Sequence, residues 1–95
     1  MAFADQRVLI TGSTRGIGHA LANRFAAAGA RVAINGRSAA AVASAIDKLG
    51  DASQCVAAVG DVSSAAGCEV VVRAAVAGLG GLDILINNAG TYPIA

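Results

Sequence analysis

Four short aliphatic runs alternate with three alanine-rich stretches, and that alternation leaves few folds open. The runs are Arg7–Thr11, Arg31–Asn35, Gln54–Val59 and Leu82–Asn87, each followed closely by glycine. Short apolar runs bounded by turn residues read as buried strands. After the first run, Ile17, Ala20, Leu21, Phe25 and Ala28 recur at helical spacing, predicting a helix from Ile17 to Ala28 that Gly29 stops. Ser38 is placed to cap a second helix through Leu49, with Val42, Ile46 and Leu49 on one face and Gly50 after it. Ser63 or Ser64 caps a third, which runs to about Leu79 before Gly80 and Gly81.

Strands that are apolar on both faces need cover on both, and intervening helices supply it when the strands are parallel. The order β-α-β-α-β-α-β therefore predicts the first half of a doubly wound α/β fold, with strand order 3-2-1-4 and right-handed crossovers. Composition supports a buried core: 56% of residues are hydrophobic, 24 of the 95 are alanine, and 14% are charged, the reverse of a disordered chain. No apolar stretch is long enough to predict a membrane span, and Met1–Arg7 lacks the pattern of a secretion signal. A net charge of +1 and only three aromatics (Phe3, Phe25, Tyr92) argue against nucleic acid or an anionic membrane as partner. Cys55 and Cys68 have neither metal-site nor CxxC spacing and read as structural thiols of a reducing, cytoplasmic compartment.

The informative segment is Thr11-Gly12-Ser13-Thr14-Arg15-Gly16-Ile17-Gly18, between the first strand and the first helix. One glycine permits a tight turn, another lets a phosphate approach the backbone, and a third lets the helix pack close to the strand. The amides at the helix start then face an anion, aided by the helix dipole. The spacing is GxxxGxG, and the Lys-Ser/Thr pair of a P-loop is missing, since His19 and Ala20 follow Gly18. Alone, such glycines often do no more than make a tight turn; their place in a β-α-β unit points to a dinucleotide.

Two further segments accompany it, Gly60-Asp61-Val62 after the third strand and Asn87-Asn88-Ala89-Gly90 after the fourth. The three together, in this order, resemble the short-chain dehydrogenase/reductase family over essentially the whole chain. The resemblance implies a Rossmann-like fold and reads residues 1–95 as a partial dinucleotide-binding domain. It implies that Gly12, Ser13, Thr14, Arg15, Gly16, Ile17 and Gly18 hold the cofactor pyrophosphate. It further implies that Asp61 and Val62 meet the adenine, and that Asn88, Ala89 and Gly90 lie along the nicotinamide-side ribose.

The end of the second strand separates the two cofactors. An NAD site needs a carboxylate there for the ribose hydroxyls, whereas an NADP site needs cations for the 2′-phosphate. Asn35-Gly36-Arg37-Ser38 contains no acid; Gly36 stands where the carboxylate would be, Arg37 follows, and Arg15 projects from the glycine loop. With Ser38 as a further donor, NADP(H) is expected over NAD(H).

No catalytic residue and no metal ligand can be assigned. The family's Ser and YxxxK are expected several dozen residues beyond Gly90, and the sequence runs only five residues past it. Tyr92 lies too close to Gly90 and has no lysine four residues on. The only lysine, Lys48, falls on the second helix, on the far side of the sheet from the expected nicotinamide. His19 reads as a packing or surface residue and Asp83 as a strand-start residue. An uncharged Ile84-Leu85-Ile86 edge is one that natural proteins avoid. The expectation is therefore the N-terminal part of a longer oxidoreductase, itself inactive. The parent would act on a small-molecule carbonyl or alcohol as a homo-oligomer. The alternative is a standalone NADP(H)-binding or partner-pairing half-domain.

Overall fold

The strand Arg7–Ile10 (β1) is covered on both faces, and Val8, Leu9 and Ile10 are fully buried. The computed structural model describes residues 3–88. β1 pairs in parallel with Arg31–Gly36 (β2) on one side and Ile84–Ile86 (β4) on the other, while Cys55–Val59 (β3) lies beyond β2. The order is β3-β2-β1-β4, as the alternation of runs predicts. In register, Val8 sits between Val32 and Ile84, and Ile10 between Ile34 and Ile86.

Successive strand residues point to opposite faces, which divides the core into two layers. Val8, Ile10, Val32 and Ile34 pack against the helices Gly16–Ala27 (α1) and Ala39–Asp47 (α2) through Ala22, Ala26, Val42 and Ala45. Leu9, Ala33 and Ala58 meet the helix Ala65–Leu79 (α3) through Val71, Ala75 and Leu79. Each fully buried Val, Leu or Ile side chain contributes roughly 1.5–3 kcal/mol over its exposed state. The two cysteines are free; Cys55 is half-buried, whereas Cys68 is exposed rather than packed inside, and burial, with a smaller effect of Asp51, raises the Cys55 thiol pKa. Among the described residues, no helix is long and apolar enough to cross a membrane.

Both serine caps form. Ser38 Oγ accepts from Ala41 N at 3.1 Å, and Ser64 rather than Ser63 caps α3, its Oγ accepting from Gly67 N at 3.0 Å. α1 closes on Gly29, whose φ of 95° lets its N–H reach Ala26 O while Ala30 N reaches Phe25 O. Several expectations need correction; α2, for one, ends at Asp47 with Lys48 as its cap, short of Leu49. The buried stripe of α1 is Gly18, Ala22 and Ala26, not one led by Ile17, which is 75% exposed. The helix lies too close to the sheet for large side chains, so the smallest residues face inward while Leu21 and Phe25 flank them. β4 is also shorter than Leu82–Asn87, because its ladder with β1 spans only three residue pairs.

Below that ladder a charged clamp takes over. Arg7 N and Nε both donate to Asp83 Oδ2 at 2.9 Å, Arg7 Nη2 donates to Oδ1 at 3.0 Å, and Asp83 N returns a bond to Arg7 O at 2.9 Å. Arg7 Nη1 and Arg31 Nη1 then donate to Gly80 O and Leu79 O, neutralising the negative end of α3. Asp83 is thus a strand-start residue, and its bonds from the Arg7 side chain, followed by those from the Arg7 backbone, hold its carboxyl at about 2.

The sign of the pH effect follows from that shift. The ordinary value is 3.8, so the stabilisation is complete above about pH 4 and is lost as pH falls toward 2. The paired side chains are 35% and 31% exposed, so solvent screens the contact and the effect is one of slope. The melting temperature of the wild type should fall more steeply than that of Asp83→Asn between about pH 4 and pH 2. Parallel curves would show that the clamp contributes nothing.

Candidate functional site

The glycine loop begins where β1 runs out, and one buried amide holds it. Asn35 is the polar exception in aliphatic β2 and is only 2% exposed. Its Oδ1 accepts from Gly12 N at 2.9 Å, and its Nδ2 donates to Ala58 O at 2.9 Å and Gly60 O at 3.2 Å. Its main chain exchanges bonds with Ser13: Asn35 N donates to Ser13 Oγ and Ser13 N donates to Asn35 O, both at 2.9 Å. Ser13 Oγ donates in turn to Ile10 O at 2.7 Å. The C-terminal ends of β1, β2 and β3 are thereby tied to one side chain.

From the opposite side, Asn88 secures the loop to β4. Its N–H donates to Thr11 Oγ1 at 3.0 Å and its Nδ2 to Gly12 O at 3.1 Å. Gly18 must be glycine at this point: a Cβ there would collide with Gly12 O and lie 2.5 Å from Asn88 Nδ2. Gly12 and Gly16 hold φ values of 62° and 61°, the left-handed conformation that turns the chain from strand into helix.

These contacts shape an open cleft of about 1210 Å³ along the C-terminal ends of the strands. Gly12, Thr14, Arg15 and Gly16 form one wall; Gly36, Arg37 and Ser38 form the next; Asp61, Val62 and Asn88 close the rest. The start of α1 opens onto it without a side-chain cap and without an acid in its first turn, whereas α2 and α3 each have a serine cap. Asp61 is held below the usual carboxylate range, chiefly by hydrogen bonds from the Ser63 backbone and then its side chain, with Arg37 adding a smaller effect. An uncapped helix start beside two guanidiniums suits an anionic ligand.

The family model for short chain dehydrogenase matches residues 6–95. The chain belongs to the short chain dehydrogenase family. It is 41% identical over 90 residues to the glucose 1-dehydrogenase of Gluconobacter oxydans, covering 93% of this chain and 34% of that protein. Among solved structures it is similar to the RhlG/NADP complex of Pseudomonas aeruginosa, with a TM-score of 0.83, 42% identity, and coverage of 93% of this chain and 36% of the other. The 3-ketoacyl-(acyl-carrier-protein) reductase of Brucella melitensis complexed with NADH gives 0.76 and 36%, covering 86% of this chain and 33% of the other. The chain thus spans about a third of the length of the relatives it matches.

Within this short chain dehydrogenase chain the expected cofactor residues fall into three groups. Gly12, Thr14, Arg15, Gly16, Arg37, Ser38, Asp61, Val62 and Asn88 line the cleft together. Ser13 is wholly buried inside the loop, Gly18 packs beneath it, and the Ile17 side chain points to solvent, so none of these three lines the cleft. Ala89 and Gly90 lie outside the described residues. Further residues contribute that are not among the expected cofactor contacts. Asn35 is the hub, and an amide in a buried strand is itself a signal, because it must find partners there. Ser44 and Lys48 extend the cleft along α2, and periodicity alone did not point to them. His19 serves packing, its Nε2 lying 2.9 Å from Ala45 O between α1 and α2. The cleft fits a dinucleotide in the chemistry of its walls: open amides and cations for phosphates, and a carboxylate beside an apolar residue for a base.

Asn35→Asp tests the hub with almost no change of shape. The new oxygen would face the Ala58 and Gly60 carbonyls with no proton to share, a loss of about 3 kcal/mol or more at neutral pH. The deficit relative to wild type should shrink on acidification, as the carboxyl regains a donor. An unchanged urea midpoint would mean that the amide does not hold the loop.

Proposed function

We propose that this chain is the cofactor-binding, N-terminal part of an NADP(H)-dependent short-chain oxidoreductase. The parent would transfer hydride between nicotinamide and the carbonyl or alcohol of a small molecule. The single observation that supports the reading best is the uncapped start of α1, open to a cleft that Arg15 and Arg37 flank and into which β2 sends no acid. The dinucleotide, when bound, supplies the hydride. The amides of the glycine loop and of α1 would hold its pyrophosphate, and Arg15, Arg37 and Ser38 a 2′-phosphate. Asp61 and Val62 would meet the adenine, and Asn88, with Ala89 and Gly90, the far ribose.

The relatives do not decide between the cofactors, since RhlG is seen with NADP and the Brucella reductase with NADH. The charges at the end of β2 favour the phosphorylated one. No residue of the 95 matches the family's Ser or YxxxK, so this stretch is proposed to bind without turning over. Substrate contacts and homo-oligomer contacts would belong to the rest of the parent. A cytoplasmic location accords with the free thiols.

Titration of the chain with NADPH and with NADH should show tighter binding of NADPH, by on the order of tenfold, the effect of one charge-assisted contact. Arg37→Asp should erase or invert that ratio. Equal binding by the wild type, or a ratio untouched by Arg37→Asp, would refute the assignment. The intact mass of the protein from its source, against 9.2 kDa for these 95 residues, separates an enzyme part from a standalone binding half-domain.

A further inference from the structure

Gly36 ends β2, but its backbone does not require glycine. Its φ is not among the positive values, it pairs in register with Val59, and its carbonyl accepts from Gly60 N at 2.9 Å. Any residue could adopt that conformation. What excludes a side chain is space. A Cβ built on Gly36 would overlap Thr14 Cγ2 and lie 3.1 Å from Val42 Cγ2. Val42 is fully buried and cannot give way on one side. Thr14 is β-branched and half-buried, with restricted freedom to rotate on the other.

We propose that Thr14 is a specificity-determining residue: its methyl group keeps position 36 bare and thereby prevents the end of β2 from carrying the acid that an NAD site needs. The inference rests on the NADP(H) reading of the same cleft and deepens it. A carboxylate at position 36 would need its Cβ in the place that Thr14 Cγ2 occupies. The preference against NAD is then a property of two residues in contact, one on the glycine loop and one on the strand, rather than of a missing acid alone. Thr14 acts on the cofactor through Gly36, so it is a positioning residue in this role.

Two measurements on the chain test it. The first reads stability without any cofactor, in a cycle of Gly36→Ala, Thr14→Ser and the double variant. Gly36→Ala should lower the melting temperature by roughly 5 °C or more, as overpacking does in a domain of this size. In the Thr14→Ser background the same change should cost clearly less, because only the 3.1 Å approach to Val42 Cγ2 is left to relieve and a strand alanine loses less freedom on folding than glycine. Equal effects in both backgrounds would overturn the proposal.

The second reads the ratio of NAD to NADP affinity for Gly36→Asp with and without Thr14→Ser. The double variant should favour NAD by about tenfold more than Gly36→Asp alone, and equal ratios would overturn the proposal. If Gly36→Asp fails to fold and Thr14→Ser restores it, the steric gate is supported; if neither folds, the alanine cycle decides. A wild type that prefers NAD would sink the cofactor reading and with it the specificity role, while the alanine cycle would still report separately on the contact between Thr14 and Gly36.

Discussion

A single buried amide sets the geometry on which the cleft depends. Asn35 receives the Gly12 N–H and gives its own two protons to the carbonyls of Ala58 and Gly60. Each bond contributes only about 0.5–1.5 kcal/mol net, but a buried partner left unpaired costs about 1–3 kcal/mol. The asymmetry makes the arrangement specific: alternative loop paths that miss the amide leave several polar groups dry at once. Among the described residues, no buried side-chain nitrogen or oxygen lacks a partner. The glycine loop is therefore held in its shape before any ligand arrives.

Small residues bring the helix to that loop. The inward stripe of Gly18, Ala22 and Ala26 lets α1 lie close against β1 and β2, so that its first amides arrive just beyond the strand ends. Larger residues would add buried apolar area but would push the helix start away from the cleft proposed to hold a phosphate. The alanine content that first reads as general helix composition thus has a local purpose. Ile17, which could have been a core anchor, is left in solvent as a result.

Much of the fold was legible because its determinants are local. Ser38 and Ser64 cap the helices that follow them, Gly29 and Gly80 close those that precede them, and aliphatic runs mark the strands. Strand order follows from that alternation by topology. The facing of α1 was not legible by counting apolar residues, because the winning criterion was smallness rather than hydrophobicity. The partnerships of Asn35 with Gly12, Ser13 with Ile10 and Asn35, and Thr14 with Gly36 join side chains to distant backbone. Nothing in the spacing of one segment reveals what another segment will press against it. The residues that line the cleft are expected from their type, and the contacts that bring them together appear only in the fold.

The two ends of the sheet use charge in opposite ways. At the N-terminal end of the strands, Arg7 and Arg31 are satisfied by Asp83 and by the last carbonyls of α3. At the C-terminal end, Arg15, Arg37 and Lys48 line the cleft, and among the described residues none of them forms an ion pair. Arg15 stands at the uncapped start of α1, where a cation faces the positive end of the helix dipole, so its placement works against the stability of the free chain. A chain shaped by folding alone would place an acid or a serine cap at α1, as it places serine at α2 and α3. The missing cap at α1 fits the proposed anionic ligand, which would supply the compensating charge when it binds.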